Sequence, residues 1–298
     1  MRNTLIVLIL LLSAGPTQAQ LRVFACEPEW AALTEELAGD LARIFSATTA
    51  EQDPHHIQAR PSLIAQLRMA DLAVCTGAEL EAGWLPMLQR RANNPRVLAG
   101  TPGYFEAAAQ VPLLDRPAQI DRAAGDVHAA GNPHIHLDPH RLARIAAALT
   151  TRLSELDPAN AERYRARGAD FQQRWQKAIA DWEARAKPLK GLPIVVQHET
   201  WRYLEAWLGL DRVAALEPKP GVPPTSSHLA EVLAKVRARQ VPVALYASYQ
   251  NPRPSQWLAN RSDLTPLQLP YTVGGSEQVT DLFGLFDDTL DRLLQVRR

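Results

Sequence analysis

The chain has 298 residues, 46% of them hydrophobic and 21% charged, with 32 basic side chains balanced by 32 acidic ones. That length holds about two ordinary domains, and the apolar fraction supplies real cores, so a disordered chain is excluded. Zero formal net charge gives no electrostatic footprint for nucleic acid or for an anionic membrane, so neither is an expected partner.

Residues 1–19 carry Arg2, an apolar run from Leu5 to Leu12, and a close at Thr17-Gln18-Ala19, with small residues one and three positions before the expected cut. This is the pattern of a secretory signal peptide cleaved after Ala19. The apolar run is less than half of the ~20 residues that span a bilayer, so no part of the mature chain is expected in a membrane. The mature protein is expected outside the cytoplasm.

From residue 20 onward, short apolar runs alternate with helical spacing. Residues 22–26, 41–47, 72–75 and 96–99 read as strands, and 29–38, 61–70 and 83–91 as helices. Such alternation predicts a parallel sheet covered on both faces. Cys26 and Cys75 each end a predicted strand. Neighbouring parallel strands bring both thiols to one sheet edge, and outside the cytoplasm a pair bridges more often than it stays free. Two buried, unpaired thiols is the alternative reading.

Residues 117–137 have no period and read as a loop. Helical spacing returns at 140–156. Residues 159–186 then place Tyr164, Phe171, Trp175, Ile179 and Trp182 on one face of a helix about 40 Å long. A second alternation follows, with strands at 193–196, 213–216, 243–246 and 264–269 and helices at 199–208, 227–239, 254–260 and 277–296. The expected fold is α/β with two lobes, 20–138 and 191–298, each a parallel sheet flanked by helices. Residues 139–190 link them through one long spacer helix. A helix of that length resists bending, so little lobe movement is expected.

Five of the eight histidines fall in two short stretches, 55–56 and 128–136. Asp53-Pro54-His55-His56 follows a predicted strand, Asn132-Pro133-His134-Ile135-His136 leads into a helix, and Gln197-His198-Glu199 joins a strand to a helix. Ligands of open α/β sheets bind at the carboxyl ends of the strands, and here both halves contribute histidine there. A single such histidine is usually a cap or a surface residue, but three ordered groups point to a divalent ion. Three neutral imidazoles leave one tetrahedral position open, which suits Zn²⁺. Hard ions such as manganese and magnesium prefer carboxylates.

The segment EQDPHHIQARPSLIAQLRMADLAVCTGAELEAGWLP resembles the first-lobe signature of the solute-binding proteins of zinc and manganese ABC importers. GNPHIHLDPH and VVQHETWRYLEAWLGL resemble that family's second and third metal motifs, and EPKPGVPPTSSHLAEVL is also similar. The resemblance covers nearly the whole mature chain. It implies a periplasmic, monomeric, non-enzymatic protein that captures Zn²⁺ and delivers it to an inner-membrane ABC permease with its ATPase. By position it implies His55, His134 and His198 as ligands. His56 and His136 fall beside ligand positions, as residues behind the ligands or at the surface. Glu199 is placed to orient an imidazole.

Two features depart from the family pattern. Members often draw a fourth ligand from a Leu-Asp-Pro near the last strand, whereas Leu267-Gln268-Leu269-Pro270-Tyr271 has no carboxylate. Asp281 is the nearest acid downstream. The long His- and acid-rich loop of many zinc members is missing, and only His128 stands in the corresponding loop. Two other functions share the ligand set: a periplasmic zinc metallochaperone, and a zinc hydrolase or lyase. The enzyme reading is opposed by the lack of a His-Glu-x-x-His helix and of a carboxylate clearly placed as general base.

Overall fold

The computed structural model describes residues 20–117 and 128–296. The expected signal segment and residues 118–127 of the expected loop lie outside the described residues. In the first half, β1 (Leu21–Ala25), β2 (Ala42–Ser46), β3 (Leu72–Cys75) and β4 (Tyr104–Glu106) form a parallel sheet in the order β2-β1-β3-β4. The helices α1 (Pro28–Ala38), α2 (Pro61–Met69) and α3 (Leu85–Ala92) accompany it, each with proline in its first turn, where the missing N–H costs nothing. Two longer helices follow, α4 (Pro139–Leu156) and α5 (Ala161–Ala186). In the second half, β5 (Pro193–Val196), β6 (Asp211–Ala215), β7 (Val243–Ala247) and β8 (Thr265–Leu269) repeat the arrangement in the order β6-β5-β7-β8. The helices α6 (Arg202–Leu208), α7 (Ser226–Arg239), α8 (Arg253–Ala259) and α9 (Leu282–Val296) complete it.

Two expected elements differ. Residues 96–99 were expected as a strand but belong to a 3-10 turn at Pro95–Val97 and the chain after it, and the fourth strand lies further on at Tyr104–Glu106. The Asn94 side chain accepts from Arg96 N and donates to Leu67 O and Ala70 O, so it fixes a turn where the apolar run alone suggested a strand. The last helix starts at Leu282, not 277. The preceding residues form a tight loop in which Gly274 N donates to Val279 O and Gly275 N to Thr272 O.

The 26 residues of α5 span about 39 Å at 1.5 Å each. Its buried face runs Tyr164, Gly168, Phe171, Trp175, Ile179 and Trp182, at the three- and four-residue spacing of one helical side. Trp175 stacks on Phe171 at 5.2 Å between ring centroids and meets Trp182 and Phe283 edge-on, while Trp182 stacks on Phe286 of α9 at 4.8 Å. At Gly168 a Cβ would run into Thr150 of α4, so glycine lets these two helices approach closely. One continuous core takes in Val23 and Val74 of the first sheet, the inner face of α5, and Val196, Leu245 and Leu290 of the second half. Each sheet has a separate core on its other face. Moving the lobes apart would therefore expose apolar surface that both share.

Cys26 and Cys75 are disulfide-bonded at the carboxyl ends of the adjacent strands β1 and β3, with their Cα atoms 4.8 Å apart. The bridge closes a separation of 49 residues. The chain-entropy model assigns a loop of this size on the order of 4 kcal/mol. Thiol titration of the denatured, unreduced protein should find no free thiol, and a Cys26→Ala/Cys75→Ala chain should lose about that much stability in a denaturant melt.

Candidate metal centre

The site collects at the carboxyl ends of strands from both sheets, where the backbone must turn and side chains project free of the ladder. The first histidine turn follows β2. Asp53 Oδ1 accepts from the His55 N–H at 3.0 Å and its backbone carbonyl from His56 N at 3.1 Å, while Trp84 Nε1 donates to Pro54 O. The second lies ahead of α4. Asn132 Oδ1 accepts from His134 N, its Nδ2 donates to Glu199 O, and its carbonyl accepts from Tyr203 OH at 2.6 Å, so one asparagine ties this loop to the second half. His198 lies two residues past the end of β5.

His55, His134 and His198 converge: each offers a ring nitrogen, and these atoms lie within 4.8 Å of one another. Their ring centroids are 5.7, 5.7 and 5.8 Å apart. All three are buried. The other nitrogen of each ring is already engaged. His55 Nδ1 is 2.8 Å from Asp53 Oδ1, His198 Nδ1 is 2.7 Å from Glu217 Oε2, and His134 Nδ1 is 3.0 Å from Tyr271 OH. A carboxylate can only accept, so Asp53 and Glu217 fix the proton on Nδ1 and leave the Nε2 lone pair facing inward. A phenol can donate or accept, and in the same tautomer His134 donates to the Tyr271 oxygen.

His128 faces the same centre, its Nε2 3.3 Å from His55 Nε2. Its backbone neighbour Ala129 donates to Glu79 Oε2 at 2.5 Å, and the His128 ring has a backbone hydrogen bond with Ala78. Ala78 and Glu79 both have positive φ, 48° and 69°, directly after Gly77 at 75°. Such strain in consecutive residues is held only where the surroundings over-determine it.

The remaining expected residues sit elsewhere. His136 is fully buried behind the site, not at the surface; its Nε2 donates to Tyr271 O at 2.9 Å and its Nδ1 is 3.2 Å from Glu29 Oε1. His56 is exposed beside His55. Glu199 pairs with Arg212 rather than orienting an imidazole, and Glu217 performs that task on His198. Asp281 is exposed and caps α9, accepting from Gly284 N at 2.7 Å. Asp53, Glu217 and Tyr271 were not singled out from sequence. The only available signal was Asp53 two residues before a histidine, because Glu217 and Tyr271 lie 19 and 137 residues from the rings they hold.

Burial disfavours an imidazolium here. His128 is pulled down to about 4 from 6.5, by burial first and then by His55 and His198, and His134 is held well below 6.5 for the same reasons. Burial would raise Asp53, but the hydrogen bonds it accepts from the His55 ring and from the His55 N–H outweigh it and hold the carboxyl below its ordinary value. A separate carboxyl pair lies beneath, beside the disulfide. Burial raises Glu81 to about 7, against hydrogen bonds from Thr76 N and Gly77 N, and burial and the neighbouring Glu81 and Glu29 raise Glu27 well above 4.5. Cys26, Cys75 and Glu81 also cluster, but both sulfurs are spent on the disulfide.

Residues 23–296 match the family described as zinc-uptake complex component A, periplasmic. The zinc-binding lipoprotein AdcA of Streptococcus pneumoniae is 25% identical over 234 residues, 76% of this chain but 44% of its own length. The high-affinity zinc uptake system protein ZnuA of Yersinia pestis is 26% identical over 196 residues, 60% of each chain. The chain thus spans less than two thirds of the length of both relatives. Among solved structures, the solute-binding protein FpvC of Pseudomonas aeruginosa, in complex with Mn²⁺, superposes with a TM-score of 0.78 at 22% identity, covering 93% of this chain and 98% of that one. That likeness is one of fold.

The pKa shifts give opposite linkage signs for the metal-free chain. Between pH 4 and 6.5 the unfolded state binds the proton that folded His128 refuses, so His128 contributes stability that is lost as pH falls. Between pH 4.5 and 7 folded Glu81 keeps a proton that the unfolded state releases, so its contribution is lost as pH rises. Relative to wild type, Glu81→Gln should gain stability on going from pH 4.5 to 7 and His128→Ala on going from pH 6.5 to 4. Metal-free denaturant melts across these ranges check both signs.

Proposed function

Because the chain belongs to the family of the periplasmic component A of zinc-uptake complexes, we propose that it captures Zn²⁺ in the periplasm and delivers it to an inner-membrane ABC permease with its ATPase. The observation that carries this reading is the convergence of His55, His134 and His198, with the second nitrogen of each ring already bonded. Rings held in this way need no reorientation when an ion arrives. Asp53 and Glu217 behind them balance the charge of a bound dication.

His128 stands beside this group and outside the set of ring nitrogens that lie within 4.8 Å of one another, so in this proposal it becomes the fourth donor by an inward movement of its ring. Its 3.3 Å separation from His55 Nε2 equals the spacing of two ligands on a tetrahedral ion with Zn–N bonds of about 2.0–2.1 Å. An all-imidazole set favours zinc over manganese, which prefers carboxylate oxygen. The names of the two relatives given above support zinc as cargo, while other relatives, such as the PsaA lipoprotein of Streptococcus anginosus, are named for manganese. The related fold of FpvC holds Mn²⁺, so selection has to come from the donors and not from the fold. No catalytic step is assigned, because the two carboxylates nearest the rings are committed to ring nitrogens. Release follows when the permease disturbs the mutual positions of loops drawn from both halves.

Metal analysis of the mature chain should give one Zn²⁺ per molecule. Alanine at His55, His134 or His198 should weaken binding by more than 100-fold, and alanine at Asp53 or Glu217 by about 10- to 100-fold. His140→Ala, which removes a surface pair with Glu183, should change nothing. Titration calorimetry separates these classes, and equal losses from His55→Ala and His56→Ala would overturn the ligand assignment.

Added Zn²⁺ should also raise the melting temperature of metal-free protein at pH ~7.5 far more than Mn²⁺ does, and the shift should vanish near pH ~5, where protons compete for the imidazoles. A manganese shift as large as the zinc shift would replace zinc by a broader metal cargo.

A further inference from the structure

Each of the three converging imidazoles is aimed by a partner on its far nitrogen, and the partners are held in different ways. Asp53 accepts from the backbone N–H of His55 as well as from its ring, so support and ligand belong to one turn. Tyr271 is buried in the core behind His134. Glu217 is held from outside. Its Oε2 accepts from His198 Nδ1 at 2.7 Å and also from the Gly221 N–H at 2.8 Å.

Gly221 stands in a tight turn at the surface. Val222 N donates to Lys219 O at 3.0 Å, with Pro220 in the second position and Gly221 in the third at a φ of 74°, the arrangement of a type II turn. The proline fixes its own φ and the glycine supplies the left-handed one, so the four residues form a stiff unit. Gly221 and Val222 are exposed, whereas His198 is buried. The turn borders both openings onto the histidines. Gly221 lines a cleft of about 330 Å³ shared with His55, His198 and Glu217. Pro220 lines a second, of about 210 Å³, shared with His134 and His198 and carrying Asp115, Glu199 and Arg212 on its walls.

The two ends of Glu217 are anchored unequally. Its backbone N–H donates to Gln197 O at 3.0 Å and continues the sheet, so that end stays in place. Its carboxylate lies at the wall of the larger cleft, which gives it room to rotate once the Gly221 N–H is withdrawn. An imidazole without its carboxylate is free to turn and to change tautomer, and its lone pair is then no longer fixed on the ion.

We propose that the Lys219–Val222 turn is the release lever of the site: lifting it withdraws the Gly221 N–H, lets the Glu217 carboxylate leave His198 Nδ1, and frees the ring. This deepens the import role proposed above and rests on its ligand set. The turn is at the surface, so a docked partner reaches it directly while the ligands stay buried.

The test is stopped-flow of the mature, full chain, with Zn²⁺ alone for loading and an excess of a chromogenic aminopolycarboxylate chelator for removal. Gly221→Val puts a β-branched residue at a φ of 74° and breaks the turn. Val222→Pro removes the N–H that closes it. Each should speed removal by about 10-fold or more, as when a ligand loses its supporting partner, and change loading by less than about twofold. Gly221→Asn, which adopts this conformation and keeps the N–H, should rescue the wild-type removal rate. In a Glu217→Ala background, which already releases faster, Gly221→Val should add less than about twofold, because the turn acts through that carboxylate.

Wild-type removal rates in both turn variants would overturn the lever, as would a Gly221→Asn chain that releases as fast as Gly221→Val. So would a further acceleration of about 10-fold by Gly221→Val in the Glu217→Ala background, which marks general loosening of the loop. If His198→Ala binds zinc as tightly as the wild type, the three-histidine site itself is wrong, and that outcome is distinct from failure of the lever alone.

Discussion

An imidazole can present a lone pair to a cation only if its proton sits on the other nitrogen, and only a partner on that side can keep it there. At His55 and His198 that partner is a carboxylate, Asp53 or Glu217, and at His134 it is the Tyr271 phenol. Much of the local structure serves these three contacts. The Asp53 turn is held from both ends and from Trp84. Glu217 also accepts from Gly221 N at 2.8 Å, which folds the loop after β6 back onto the site. Tyr271 is positioned by a buried series running from α1: Thr272 Oγ1 donates to Glu29 Oε2 at 2.5 Å, and His136 Nε2 donates to the Tyr271 carbonyl with its Nδ1 3.2 Å from Glu29 Oε1. His136 thus works on the centre from behind, through the loop that carries Tyr271.

The second requirement is that loops from two sheets stay in register with one another. A core shared through α5 meets it. Fully burying side chains such as Trp175 and Trp182 contributes a few kcal/mol each, and here the apolar partners come from both halves. In a protein whose lobes pack on a single helix and on each other, small shifts of loops are cheap and wide opening is not. The geometry of the histidines is then governed by loop positions at the sheet edges, where a docking partner can reach.

Polar burial accompanies this arrangement. Glu27, Glu29 and Glu81 lie almost without solvent at the carboxyl ends of β1 and β3, next to the disulfide. Burying them costs free energy unless they are protonated or bonded, and burial accordingly holds Glu27 and Glu81 toward their neutral forms. Thr76 is the hinge of the group. Its N–H serves Glu81, its hydroxyl donates to Glu27, and it accepts from Trp30 Nε1. The disulfide beside them holds the two strands from which these carboxyls project.

Local pattern was enough for the two α/β halves, the strands at the cysteines, the spacer helix and the junction positions of His55, His134 and His198. Each of these is written in spacing a few residues long: alternation of apolar runs, one-sided aromatics, a histidine beside a turn. The missed strand at Tyr104–Glu106 and the turn at Pro95–Val97 were not legible in that way. A three-residue strand is defined by its neighbour β3, and the turn by Asn94 reaching back to α2. The partners of the imidazoles were hidden for the same reason. Glu217 becomes a neighbour of His198 only when β6 pairs with β5, and Tyr271 a neighbour of His134 only when the two halves dock through a shared core. Glu199, adjacent to His198 in sequence, is instead turned away onto Arg212. Residue type and short-range spacing follow from covalent order, so the sequence by itself determined the elements and the candidate ligands. Which nitrogen faces the centre, and what holds it there, is an interaction between residues up to 137 positions apart, and only the tertiary structure decided it.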